Sequence, residues 1–123
     1  AFMQKVLQGL PIEIWGDGSV VRDYIHIQDV IDALVRGLEY RGNYRVFNVG
    51  SGEGRSLNEV IEGLRRVTGR PIECSYKASR PLDVPKSILD VSLVKKELCW
   101  HPSVGFSDGL ERTWKWFKAN PGA

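Results

Sequence analysis

The chain has 123 residues, with 17 Lys and Arg against 15 Asp and Glu, 42% hydrophobic and 26% charged positions. These values sit at globular averages and exclude a disordered chain, a collagen-like repeat and a coiled coil; the length suits one ordinary domain. A net charge of +2 leaves no electrostatic footprint for nucleic acid, and no apolar run approaches the roughly 20 residues a membrane span needs. The opening AFMQKVLQGL is too short and too polar for a signal peptide. Cys74 and Cys99 form neither a metal spacing nor a CxxC pair, so two free thiols in a reducing compartment are expected. Composition thus predicts a soluble, cytoplasmic protein with no nucleic-acid or membrane partner.

Hydrophobic periodicity alternates between 3.6 and 2, the mark of a mixed α/β (α+β) fold. Residues 2–8 read as the end of a helix, stopped by Gly9 and Pro11. Ile12 and Ile14, then 20–27, read as two short strands around Gly16-Asp17-Gly18-Ser19, a hairpin signal. Asp29 is placed to cap a helix over 30–40, whose apolar face holds Val30, Ile31, Leu34, Val35 and Leu38. Gly42 and Asn43 break it, and a buried strand over 46–49 runs into Gly50-Ser51-Gly52-Glu53-Gly54.

Ser56 and Glu59 form a capping box for the next helix, with Leu57, Val60, Ile61, Leu64 and Val67 as its stripe. Gly69 stops it and Pro71 seconds the stop. Residues 72–77 alternate as a half-buried strand, and 78–86, with two prolines, is a loop. A short helix over 92–98 and a last one over 108–119 complete the chain. Leu110, Trp114 and Phe117 fall at helical spacing in the last helix and read as core.

The glycine loop at 50–54 invites a dinucleotide reading, since G-x-G-x-x-G lets the backbone approach a pyrophosphate. Gly50 and Gly52 fit, but Arg55 occupies the third glycine position, and Tyr76 and Lys77 stand where a ribose-binding acid belongs. A plain turn between strand and helix is the favoured reading. No Tyr-x-x-x-Lys, G-x-S-x-G, H-E-x-x-H or G-x-x-x-x-G-K occurs. His26 and His101 are too few for a metal site and read as structural. Ligand-type residues remain in the loops: Arg22, Arg80 and Asp83, with Trp15 nearby in sequence to the Gly16 turn. Guanidinium groups grip phosphate oxygens, a carboxylate accepts two hydrogen bonds from a ribose diol, and an indole packs on a base or sugar. Surface arginines with no ligand at all are the plainer alternative.

The series Gly16-Asp17-Gly18-x-x-x-Arg22-Asp23-Tyr24-Ile25-His26-Ile27-x-Asp29, then Phe47-Asn48-Val49-Gly50-x-Gly52, resembles the C-terminal part of the nucleotide-sugar epimerases and dehydratases. These are extended short-chain dehydrogenase/reductases. Arg80-Pro81-x-Asp83, Asp90, Glu97-Leu98-x-Trp100-x-Pro102, Gly109-Leu110 and Trp116 continue the likeness in order, and the UDP-glucose 4-epimerase branch is the most similar. The resemblance implies a substrate-binding portion of an NAD-dependent epimerase, with UDP-sugar as ligand. Arg22 and Arg80 would bind the pyrophosphate, Asp83 the ribose hydroxyls, and backbone groups of Glu13 and Trp15 the uracil. Ser87 resembles the position that limits sugar size, where a small side chain leaves room for an N-acetyl group.

The resemblance also implies that residues 1–28 and 50–123 form the ligand domain, with 29–49 a helix–strand unit that completes the Rossmann sheet. Missing from the sequence are the G-x-x-G-x-x-G loop that holds NAD in the family and its Ser and Tyr-x-x-x-Lys groups. The chain alone is therefore expected to bind no NAD and to be inactive, with NAD the cofactor of the parent enzyme. Strand 46–49 would present an unpaired apolar edge, so self-association or pairing with an NAD-binding half is expected. The alternative is a stand-alone nucleotide-sugar-binding or self-assembling module without catalysis. Cys99 replaces the family's usual Gly, at a cost on the order of 1 kcal/mol if that backbone is left-handed.

Overall fold

Glycine and proline punctuation cuts the chain into short elements, and a computed structural model describes residues 2–81 and 83–121. Helix α1 (Phe2–Gln8) leads into β1 (Ile12–Trp15), and β2 (Val21–Asp23) into α2 (Ile27–Glu39). Then come β3 (Gly54–Ser56), α3 (Leu57–Thr68), β4 (Cys74–Lys77) and β5 (Lys86–Ser87), followed by α4 (Ser92–Leu98) and α5 (Phe106–Ala119). Strand β1 pairs in parallel with β4, Ile12 opposite Cys74 and Trp15 opposite Lys77. Strand β2 lies between β3, antiparallel, and β5, parallel, with Arg22 opposite both Arg55 and Ser87.

Two chain segments therefore run side by side in the same direction. Residues 12–23 and 74–87 pair in one sheet, separate, and pair again in the other. Between the sheets lie five residues on one limb (16–20) and eight on the other (78–85).

Two apolar clusters hold this frame. In the first, Ile12 and Ile14 of β1 pack with Val60, Ile61 and Leu64 of α3, Met3 and Val6 of α1, and Trp114 of α5. The alternation of buried Ile12 and Ile14 with exposed Glu13 and Trp15 is the period of a strand covered on one face. In the second, Ala33 of α2 meets Val94 and Leu98 of α4 and the fully buried Trp100, whose indole Nε1 donates to the Asp29 carbonyl at 3.1 Å. No helix among the described residues is long and apolar enough to cross a membrane. Nor do three His, Cys, Asp or Glu side chains gather there for a metal ion. Both cysteines are free thiols.

The capping box of Ser56 and Glu59 is present, and Gly69 ends α3 in the left-handed conformation. Five features differ from the sequence expectations. First, β1 and β2 do not form a hairpin, because α3 captures the turn between them: Asn58 Nδ2 donates to the Asp17 carbonyl and the Asn58 amide to that of Gly18. Both turn glycines have φ +79°, and a Cβ on Gly18 would collide with the Asn58 amide group, so glycine suits the position on both counts.

Second, the strand expected over 20–27 is only Val21–Asp23. His26 leaves it to cap α2, its Nδ1 accepting from the Gln28 amide at 3.2 Å. Third, Asp29 is not the cap. It lies in the first turn, 2% exposed, with its carboxylate turned to donors beyond the helix. Fourth, residues 46–49 form no strand. A strand needs a ladder partner, and no described segment pairs with them; Val46 is 78% exposed while Phe47 and Val49 lean on the second cluster. Fifth, the glycine loop enters β3 before α3 begins, the expected loop at 78–86 ends in β5, and α5 starts at Phe106.

Candidate functional site

Where the two parallel limbs part, they leave a cleft of about 460 Å³. Trp15, Gly16, Asp17, Ser79, Arg80 and Asp83 are among its lining residues. Its floor is set by the Gly16 turn, whose amide donates to the Lys77 carbonyl at 3.0 Å and closes the first ladder. At the far end the Val21 amide donates to the Pro85 carbonyl at 2.9 Å and opens the second.

Strand β1 adds an open edge. In a parallel ladder alternate residues point their amides and carbonyls to the same neighbour. The Ile12 and Gly16 amides both donate toward β4, at 2.9 and 3.0 Å. That phase turns the Glu13 and Trp15 backbone groups to the other edge, where no described strand pairs.

The structure brings three of the six expected site residues into the cleft: Trp15, Arg80 and Asp83. The Arg80 guanidinium lies 3.9 Å from the centre of the Trp15 ring, a cation–π contact across the two limbs. The Asp83 amide donates to the Arg80 carbonyl at 3.1 Å, so the two ligand-type side chains leave one tight turn. Arg22, Ser87 and Glu13 lie outside the lining. Arg22 Nη1 donates to the Val21 and Val84 carbonyls at 2.8 and 2.7 Å, which uses that nitrogen's two hydrogens and leaves three guanidinium N–H groups. Ser87 pairs opposite Arg22 and is exposed. The Glu13 carboxylate sits between Lys5 at 3.8 Å and Lys77 at 3.7 Å, so only its backbone faces the open edge. Asp17 turns back on the Ser19 hydroxyl and amide, whose hydrogen bonds lower its pKa.

Sequence reasoning assigned no role to Asp23, the neighbour of Arg22. Its carboxylate accepts from the Ser51 amide (2.8 Å) and hydroxyl (2.5 Å), the Gly52 amide (3.0 Å) and the Leu89 amide (3.3 Å). Burial pushes its pKa up, but these bonds outweigh it and the net direction is down. A Cβ on Gly50 would stand 2.6 Å from Asp23 Oδ2, which accounts for glycine there. The same geometry weighs against a dinucleotide at this loop. Its Ser51 and Gly52 amides already serve a carboxylate, and a second anion brought to them would meet that charge, so the loop does not suit the pyrophosphate of NAD.

Residues 1–50 match the family model described as the NAD dependent epimerase/dehydratase family. The UDP-glucuronate 4-epimerase of Thermodesulfobacterium geofontis is 34% identical over 120 residues, 97% of this chain and 37% of the relative. The UDP-glucose 4-epimerase of Thermotoga maritima, solved with UDP-glucose, superposes with a TM-score of 0.90 at 38% identity, covering 98% of this chain and 38% of that one. The chain belongs to the NAD-dependent epimerase/dehydratase family. A third member, the UDP-glucuronic acid 4-epimerase of Bacillus cereus, solved with UDP-glucuronic acid and NAD, gives a TM-score of 0.87 at 30% identity; 95% of this chain and 38% of that one align. The mixed α/β fold is thus that of the extended short-chain dehydrogenase/reductase epimerases, and this chain spans just over a third of the length of these family members.

Proposed function

We propose that the chain is the substrate-binding portion of an NAD-dependent UDP-sugar 4-epimerase and that its interlimb cleft receives the nucleotide diphosphate. The observation that carries this reading is the convergence of Trp15, Arg80 and Asp83 on one cleft beside an open strand edge. Backbone groups of Glu13 and Trp15 suit the edge of a uracil, which pairs as a short strand would. Arg80 takes the pyrophosphate, and Arg22 assists with the guanidinium hydrogens not committed to the Val21 and Val84 carbonyls. Asp83 accepts from the ribose diol. The exposed Ser87 borders the sugar and leaves space for an N-acetyl substituent. The 50–54 loop does not suit the pyrophosphate of NAD, so no step of the hydride chemistry is assigned to this chain and the cofactor is assigned to an NAD-binding half.

Residues 29–49 are proposed as the contact with that half. Ile31, Leu34 and Leu38 share one face of α2 and are 45, 63 and 79% exposed, an apolar face of the kind that marks an interaction site. The same observation favours the second reading, a binding module that assembles through this face without catalysis.

Calorimetry with UDP tests the cleft. Loss of one charge-assisted bidentate contact weakens binding by about tenfold or more. Arg80→Ala and Arg22→Ala are each expected to do so, with the far-ultraviolet circular dichroism unchanged. Absence of heat with UDP, or two arginine variants that bind like the parent, refutes the reading.

A further inference from the structure

Arg22 and Asp23 leave β2 on opposite faces, as successive strand residues do, yet both reach the same later segment. Arg22 Nη1 donates to the Val84 carbonyl, and the Leu89 amide donates to Asp23 Oδ2. Between these bonds lies β5, a strand of only two residues whose ladder is too short to hold its own register. The Asp23 carboxylate is anchored in turn by three donors of the 51–52 loop. All four of its partners donate, so the position demands a group that only accepts, an ionised carboxylate. Just upstream of the clamped segment is the limb that presents Arg80 and Asp83 to the cleft.

We propose that Asp23 is a positioning residue for the nucleotide site. Its carboxylate locks the exit of the 78–85 limb at Leu89 to the 51–52 loop, and that lock sets where Arg80 and Asp83 stand. The role in binding rests on the reading of the cleft given above; the lock itself does not. Asparagine is the discriminating substitution, since it keeps the shape and turns one acceptor into a donor facing donors.

The experiment combines amide hydrogen exchange by nuclear magnetic resonance with UDP calorimetry on the full chain. In Asp23→Asn, the Leu89 amide is expected to exchange at least about tenfold faster and UDP to bind about tenfold more weakly, with the overall fold retained. A folded variant whose Leu89 exchange is unchanged overturns the lock; one that frees Leu89 but binds UDP like the parent overturns the positioning role. Should the variant not fold, acid titration of the parent decides. Ser51, Gly52 and Leu89 amide resonances moving with one midpoint below the ordinary carboxylate range support the lock, and a Leu89 resonance that does not follow refutes it. A parent that binds no UDP refutes the cleft reading instead, and Leu89 still reports on the lock.

Discussion

Asp29 shows how one side chain can hold a molecule together through charge it does not expose. At 2% exposure its carboxylate accepts from the Ser103 amide and hydroxyl, at 2.9 and 2.8 Å, and from the Val104 amide at 3.1 Å. Its own carbonyl takes the Trp100 indole, so α2 and the segment entering α5 are joined at a single residue. Burial works against the charge. The Ser103 and Val104 hydrogen bonds and the field of His26 overcome it and bring the pKa below its ordinary 3.8. A carboxyl whose folded pKa is depressed adds stability that is full above the unfolded value and is lost as pH falls through the folded one. Asp29→Asn is therefore expected to cost about 2–3 kcal/mol near neutrality. The gap to the parent should narrow as pH falls below about 4 in urea titrations run across pH. An equal gap at pH 3 and pH 7 would mean that the charge itself contributes nothing.

Among the elements, α4 ends in the least comfortable way. Cys99 is its C-cap, the one non-glycine residue with positive φ among those described, at φ 47° and ψ 39°. Arg36 of α2 reaches across to the Leu98 and Cys99 carbonyls, the latter at 2.8 Å, and so satisfies the helix end that a glycine cap would serve. Cys99→Gly is expected to raise stability by up to about 1 kcal/mol, read as a higher urea midpoint with an unchanged slope. The Ser56 box and the inward stripe of α5 were legible in the sequence because each is set within a few turns of chain, whereas the Cys99 cap was raised only by the family likeness. The sheets were not. Their parallel pairs join residues some 60 apart, and the Gly16 turn, which looks like a hairpin, is claimed by Asn58 from α3. For the site, the family likeness pointed to Trp15, Arg80 and Asp83, which the fold gathers at one cleft. The work of Asp23 and Asp29 stayed hidden, since their donors lie 28 and 74 residues away and no local pattern records them.

At the scale of the whole molecule the sides of α2 tell different stories. Ala33 is sealed against α4, while Ile27, Leu34 and Leu38, like Val46 beyond the helix, stand in water. The chain by itself is expected to scatter light as a dimer or larger species at tens of micromolar. Paired Leu34→Lys and Leu38→Lys substitutions should return it to a monomer without loss of helix, because neither residue belongs to the buried clusters. A monomer at the outset would count against α2 as a docking face. The parted limbs have a different consequence. Each is tied at both ends to a ladder, so an added residue in the longer limb becomes slack over the gap and leaves the pairing on either side intact. Closing a loop longer by one residue costs only on the order of 0.1 kcal/mol. The aperture can thus change girth by small insertions at almost no thermodynamic penalty, while the rungs on either side of it stay as they are.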